Sequence, residues 1–238
     1  MKVVIIAGGQ GTRIASVNSE IPKAMIPIDG KPILEYEVEM AKRYGFTEFL
    51  FIIGHLGEKI SSYFGDGSKW GINIEYYQEE KPLGTAGALG FLKEKLKDDF
   101  FVFYGDTVMD FDMNAMLAYH KEKNADATLF LHPNDHPYDS DIVDLDGTGK
   151  VSRFFNKPHE DGFISKNIVN AALFIFSPRI LEEIEVGVKS HIEKNVLPKC
   201  LDKGLNLYGY VSAEYIKDMG TPDRYYAVCN DVISGKVA

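Results

Sequence analysis

The chain has 238 residues, 45% of them hydrophobic and 26% charged, with a formal net charge of −9. That length suits one large α/β domain, and the acidic balance excludes a general nucleic-acid binder, which needs a basic face. No apolar run is long enough to cross a membrane, no leader pattern of basic, apolar and small residues opens the chain, and the two cysteines, Cys200 and Cys229, read as reduced thiols in preference to one structural disulfide, so a cytoplasmic protein is predicted.

The first predicted element is the strand Val3-Val4-Ile5-Ile6, whose continuous apolar character indicates burial on both faces, as in a parallel sheet. It breaks into Ala7-Gly8-Gly9-Gln10-Gly11-Thr12-Arg13. Glycine lets a polyanion approach backbone N–H groups with no Cβ in the way, and Arg13 adds a planar fork of donors. Pro22-Lys23 supplies a second cation ten residues later. The stretch reads as a phosphate cradle at the carboxyl end of a first strand, where open α/β sheets take their ligands. It is not the P-loop motif, because no Gly-Lys-Ser/Thr follows, and the Gly-x-Gly-x-x-Gly spacing of the dinucleotide fingerprint also fails.

A helix is predicted from Lys31-Pro32 to about Tyr44, with Leu34, Val38 and Ala41 at helical spacing and Gly45 as its stop. A strand at 48–53, a short helix at 58–64 and a strand at 72–77 follow. Pro82-Leu83-Gly84-Thr85-Ala86-Gly87 is expected to lead into a helix through about Leu96. A strand at 100–104 ends in Gly105-Asp106, a helix covers 114–123, and a strand covers 127–131. This alternation predicts a doubly wound, mostly parallel sheet. From His132 the pattern changes: a polar loop at 132–141, a hairpin from 142–145 and 151–155 turning at Asp146-Gly147, and a strand at 169–176. Helices at 178–185 and 191–203, a strand at 205–211 and a helix at 221–233 complete the chain, with Thr221 as N-cap and Pro222 at the first helical position. The second half thus reads as an antiparallel addition on the same sheet.

Two loop carboxylates, Asp106 and Asp218, are candidate Mg²⁺ ligands, since Mg²⁺ takes hard oxygens, commonly one or two carboxylates plus substrate phosphates. Lys157, in Asn156-Lys157-Pro158, and Asn170, at the start of an apolar strand, are candidate contacts to an anion and a hydroxyl. His132 and His136 lie beside Asp135, Asp139 and Asp141, but no matching Cys or His set occurs elsewhere, so a polar surface loop is expected rather than a metal cluster.

Gly8-Gly9-Gln10-Gly11-Thr12-Arg13, Pro22-Lys23-Ala24-Met25, Leu83-Gly84-Thr85-Ala86-Gly87, Gly105-Asp106, Asn156-Lys157-Pro158, Asn170-Ala171-Ala172 and Asp218-Met219-Gly220-Thr221-Pro222 stand in the order seen in sugar-1-phosphate nucleotidylyltransferases. The chain resembles that family from residue 2 to about 230, and within it looks most like the mannose-1-phosphate and heptose-1-phosphate guanylyltransferases. The resemblance implies a Rossmann-like nucleotide-diphospho-sugar transferase fold in one domain, 1–238. Its nucleotide-binding half would be 1–131 and its sugar-phosphate-binding half 132–238. It implies Mg²⁺ dependence and the reaction of an NTP with a sugar 1-phosphate, giving NDP-sugar and pyrophosphate. Ala7, Gly8, Gly9, Gly11, Thr12, Arg13, Lys23, Glu79, Gly84, Thr85 and Asp106 would bind the nucleotide, with Arg13, Lys23 and Asp106 catalytic. Asp141, Asn156, Lys157 and Asn170 would bind the sugar phosphate, and Asp106 with Asp218 the metal.

The family often has Glu-Lys-Pro where this chain has Asn156-Lys157-Pro158, and Asn-Ala-Gly where it has Asn170-Ala171-Ala172. The Tyr-Gly that commonly lines the sugar pocket is replaced near Ser140-Asp141. These departures touch the sugar half and leave the sugar open. Glu79 stands at the family position that often meets the base. A carboxylate accepts two hydrogen bonds, matching the N1–H and N2–H₂ donors of guanine, so GTP is expected, with a uridylyl-, thymidylyl- or cytidylyltransferase of the same family as the alternative. A nucleotide-sugar-dependent glycosyltransferase is the competing reading, since Asp110-Phe111-Asp112 supplies an Asp-x-Asp, but it leaves the glycine cradle without a role. A non-catalytic nucleotide-sensing subunit is a third, opposed by the presence of Arg13, Lys23, Asp106 and Asp218. No membrane or nucleic-acid partner is expected. A homodimer is compatible with the resemblance. Residues 234–238 read as the start of a linker, so a C-terminally fused sugar-phosphate phosphatase is compatible with it too.

Overall fold

The computed structural model describes residues 1–9, 11, 14, 16–17, 20–133, 140–160 and 166–237. In chain order its strands and helices are β1 (Lys2–Ala7), β2 (Pro27–Ile28), β3 (Lys31–Pro32), α1 (Ile33–Arg43), β4 (Glu48–Ile53), α2 (Gly57–Phe64), β5 (Asn73–Gln78), β6 (Phe100–Tyr104), β7 (Thr107–Asp110), α3 (Met113–Glu122) and β8 (Ala127–His132). They continue with β9 (Ile142–Leu145), β10 (Val151–Phe155), β11 (Val169–Phe176), α4 (Pro178–Glu182), α5 (Leu197–Asp202), β12 (Leu207–Val211), β13 (Tyr215–Asp218) and α6 (Pro222–Ile233). The fold class is α/β, with mixed, mostly parallel sheet and flanking helices, as the alternation of apolar runs predicts. The chain forms two compact units built from interleaved segments: 1–82, 102–113 and 214–238 in the first, 83–101 and 114–213 in the second.

In the first unit β1 pairs in parallel with β4, Val4 opposite Leu50, and β4 with β5, Leu50 opposite Glu75. Val3, Val4, Ile5, Leu50 and Phe51 are fully buried, which is why these strands read as continuous apolar runs. Helix α1 buries Leu34, Val38 and Ala41, the stripe expected from their spacing. The short strands β7 and β13 pair antiparallel, Thr107 opposite Asp218. Both are additions to the expected elements. A second core cluster of Ile14, Ile26, Ile28, Ile33, Tyr36, Val108, Met219, Val228 and Val237 is shared by the returning C-terminal segment. Val237 is buried and Lys236 N–H donates to the Asp231 carbonyl at 2.9 Å, while Ser234, Gly235 and Lys236 are exposed.

In the second unit β8 runs between β11, antiparallel, and β12, parallel. The region after His132 is therefore not wholly antiparallel. The β9–β10 hairpin forms as predicted, and Phe174 and Phe176 stack in the core with ring centroids 5.1 Å apart. The helix expected after Pro82 is instead a 3-10 helix over Gly87–Leu92. Gly87 and Gly90 are poor helix formers, and a Cβ on Gly87 would lie 2.6 Å from the Val188 carbonyl. The helix expected at 191–203 is a π-helical turn, Ile192–Val196, followed by α5. Cys200 and Cys229 are free thiols. Burial pushes the Cys200 thiol up to about 12. Among the described residues no helix is long and apolar enough to cross a membrane.

Candidate functional site

The loops at the carboxyl ends of β1, β4 and β6 carry the candidate residues of the first unit. Gly8 follows β1 with Gly54 and Glu79 against it. A Cβ on Gly54 would lie 2.6 Å from the Gly8 carbonyl oxygen, and a Cβ on Gly8 would meet the Glu79 carboxylate. Two glycines are thus needed where the backbones cross, and the half-buried Glu79 side chain lies over the cradle's first turn. Glu79 is tied to β4 by its N–H, which donates to the Ile53 carbonyl at 2.8 Å. Gly54 was not among the residues singled out from sequence, although its place directly after β4 mirrors that of Gly8 after β1. Gly54→Ala is expected to cost about 1–3 kcal/mol through overpacking of backbone against backbone. It should lower Tm in a thermal melt and raise the KM for nucleotide. Unchanged values of both would show that this contact does not set the cradle.

Gly11 lies against Lys23, its would-be Cβ 3.3 Å from the Lys23 Cβ. Gly9 is exposed beside it. Thr12 and Arg13 lie outside the described residues. Lys23 opens a 3-10 turn, Lys23–Met25, that Pro22 starts in extended conformation and that buries Ala24. Its side chain is 12% exposed, and its Nζ donates to Asp106 Oδ2. Gly105 fits beside Ala7, its would-be Cβ 3.1 Å from the Ala7 Cβ. The Gly105 N–H donates to Ile6 at 3.1 Å, and the Asp106 carbonyl accepts from Met219 N–H at 2.9 Å. Asp218, the last residue of β13, is thereby brought beside Asp106. Arg224 NH1 donates to both Asp218 oxygens, at 3.1 and 3.0 Å, and Gly220 N–H donates at 2.8 Å. Partial burial raises the Asp218 pKa, but Arg224, the Gly220 N–H and the nearby Lys23 outweigh it and hold the carboxyl below its usual range.

Arg224 was missed from sequence; its signal is the three-residue step from Thr221, whose hydroxyl accepts from Arg224 N–H and caps α6. Asp106, in the turn before β7, and Asp218, the last residue of β13, are two carboxylates set among cations, and hard oxygens of this kind are the donors Mg²⁺ takes. Among the described residues no group of three or more His, Cys, Asp or Glu is placed to hold a metal ion, so substrate oxygens would complete any shell. Asp110 of the Asp-x-Asp is paired with Arg43 NH2 at 3.2 Å.

Glu37 of α1 lies beneath this corner. It is fully buried, and its Oε1 accepts from Thr107 N–H at 3.3 Å. Burial pushes its carboxyl well above the usual range, the Thr107 N–H opposes that, and Asp106 adds to it.

The second unit holds the other candidates. Asp141 organises one group: its Oδ1 accepts from Lys157 N–H at 3.0 Å, and its carbonyl accepts from Asn170 N–H at 2.9 Å. Asn156 and Lys157 are half-buried at the end of the β10 hairpin arm. His159, not singled out from sequence, donates Nε2–H to the Ser140 carbonyl at 2.8 Å. Asn170 Oδ1 accepts from Ala172 N–H at 3.2 Å across a register shift in β11. Ala172 has φ 58°, the left-handed region that glycine enters most cheaply, at the position where the family pattern has glycine. Gly84 and Thr85 form a second group: a Cβ on Gly84 (φ 75°) would strike the Ser190 carbonyl, and Thr85 Oγ1 accepts from Ile192 N–H at 2.9 Å. His132 ends β8, while His136, Asp135 and Asp139 lie outside the described residues.

With a glycine turn, a lysine and two carboxylates gathered at the strand ends of an α/β unit, the chain matches the family model described as nucleotidyl transferase over residues 2–235. It belongs to that family. A UTP–glucose-1-phosphate uridylyltransferase from Synechocystis sp. is 32% identical over 252 residues, covering 100% of this chain and 64% of its own length. A mannose-1-phosphate guanylyltransferase from Mycobacterium tuberculosis is 32% identical over 234 residues, covering 98% and 64%. The chain thus spans less than two thirds of the length of these relatives. The crystal structure of HddC from Yersinia pseudotuberculosis superposes with a TM-score of 0.82 at 27% identity, covering 97% of this chain and 99% of that one. HddC complexed with GMP-PN superposes with a TM-score of 0.81.

Proposed function

We propose that this chain transfers a nucleotidyl group from an NTP to a sugar 1-phosphate, giving an NDP-sugar and pyrophosphate. The observation that carries this reading is the Lys23–Asp106–Asp218 group beside the glycine cradle, in a chain matched by the nucleotidyl transferase model over residues 2–235. An oxygen of the sugar phosphate attacks the α-phosphorus in line with the leaving pyrophosphate; one P–O bond forms and the bond to the β-phosphate oxygen breaks. Both reactants are anions, so the protein's work is alignment and charge neutralisation.

In this reading Ala7 to Gly11 and Lys23 receive the triphosphate, with Thr12 and Arg13 in the same motif. Asp106 and Asp218 would hold Mg²⁺, which when bound supplies positive charge to phosphate oxygens. Lys157 receives the sugar phosphate. Asp141, which orders the main chain of Lys157 and Asn170, and Asn156 and Asn170 themselves face the sugar. Gly84 and Thr85 complete the nucleotide contacts. No side chain needs to act as general base, because the attacking phosphate is already ionised near neutral pH.

Glu79 over Gly8 supports GTP as the donor, and heptose or mannose is the sugar type that the motif pattern favours. Relatives of equal identity use different bases by name, so the base is the sharper test. Wild type is expected to prefer GTP over UTP and dTTP, and Glu79→Gln, which turns one acceptor into a donor, to lose most of that preference. Pyrophosphate release from four NTPs, each offered with several hexose and heptose 1-phosphates, decides both points. A clear preference for a pyrimidine triphosphate sinks the assignment of the base, and nucleotide-dependent sugar transfer without pyrophosphate release sinks the reaction.

A further inference from the structure

Helix α1 faces the core with Ile33, Leu34, Val38 and Ala41, and the position between them at helical spacing is Glu37. A carboxyl in that place costs stability that an apolar side chain would not, and its Oε2 has no hydrogen-bond partner. Its other oxygen accepts the N–H of Thr107, the residue after Asp106. Three consecutive residues are thereby tied to three elements. Gly105 N–H reaches β1 at Ile6, the Asp106 carbonyl accepts from Met219 after β13, and Thr107 N–H reaches α1 at Glu37. The first two bonds are between main chains and need no side-chain acceptor. The third exists only because residue 37 is an acceptor.

We propose that Glu37 is a positioning residue: by holding the Thr107 N–H it fixes the corner that aims the Asp106 carboxylate at Lys23 and beside Asp218. This rests on the nucleotidyl-transfer reading above for its activity readout, but not for its structural ones. A glutamine presents the same acceptor at the same reach. A leucine or methionine of similar volume removes it and leaves the Thr107 N–H without that partner.

The test compares Glu37→Gln, Glu37→Leu and Glu37→Met with wild type. Four quantities are read: Tm, amide hydrogen exchange at Thr107, Mn²⁺ affinity by electron paramagnetic resonance, and kcat with KM for each substrate. The leucine variant is expected to melt near the wild-type temperature, because replacing a buried carboxyl by an apolar side chain offsets the cost of the Thr107 N–H left without its acceptor. It should nevertheless exchange the Thr107 amide faster, bind Mn²⁺ more weakly and lose kcat by roughly tenfold to a hundredfold, the scale of a displaced catalytic group. Substrate KM values should change little, and the glutamine variant should stay near wild type in all four. If leucine does not fold, methionine is read the same way. Native Thr107 protection, Mn²⁺ affinity and kcat in an apolar variant overturn the proposal. So does a glutamine variant as impaired as leucine, or an activity loss that only follows a fall in Tm. A wild type inactive with every NTP and sugar phosphate would sink the reaction instead, and the exchange and Mn²⁺ measurements would still decide Glu37.

Discussion

Asp106→Asn is expected to lower kcat by roughly 10²–10³-fold, the scale of losing one preorganised charge-stabilising group, while Tm and the circular dichroism spectrum stay close to native. The main chain at residue 106 is held by Met219 N–H and by its neighbours' bonds to Ile6 and Glu37, none of which involves the carboxylate. The substitution therefore removes a negative oxygen and the partner of Lys23 and little else. Asp218→Asn should be comparably inactive but less stable, because it weakens the pair with Arg224, while the remaining amide oxygen still accepts from Gly220 N–H. Isothermal titration with Mn²⁺ and pyrophosphate-release kinetics at limiting Mg²⁺ check both. Near-native turnover in either variant at limiting Mg²⁺ would remove that carboxylate from the metal site.

The second large effect separates two lysines. A charge-assisted contact to phosphate contributes roughly 1.5–3 kcal/mol, or about tenfold to a hundredfold in binding or rate. Lys23→Ala should weaken NTP binding and also lower kcat, since charge on the transferred group changes in the transition state. The 3-10 turn survives, because Ile26 N–H bonds to the residue-23 carbonyl. Lys157→Ala should raise the KM for sugar 1-phosphate with NTP binding unchanged. Its main-chain N–H keeps the Asp141 carboxylate, so the variant tests the ammonium alone. Steady-state kinetics varying each substrate in turn distinguishes the two, and an unchanged sugar-phosphate KM in Lys157→Ala ends that assignment.

The strands at 48–53 and 169–176 were legible to the residue because long apolar runs bounded by polar turns leave little choice of conformation. Strands β7 and β13 were not. Each has four residues of mixed polarity, and among the described residues each has the other as its strand partner. Their places in loops at element ends marked Asp106 and Asp218 as candidates, but the pairing that sets them side by side is a tertiary fact. Glu37 was hidden for the opposite reason: a glutamate on an amphipathic helix reads as solvated unless its neighbours in space are known. Ala172 is intermediate. The departure from glycine was visible, yet its left-handed backbone was not.

The β7–β13 pairing also dictates a schedule. Asp112 N–H donates to the Glu214 carboxylate, 102 positions later in the chain, at 2.7 Å, so the whole second unit's sequence is synthesised before β13 exists. Pairing β7 with β13 is a contact of high sequence separation, the kind that forms slowly, and β7 has β13 as its strand partner. A nascent chain stalled between residues 106 and 214 carries the glycine cradle, Lys23 and Asp106 but no Asp218 or Arg224. Such an unfinished chain lacks one of the two carboxylates proposed to hold the metal.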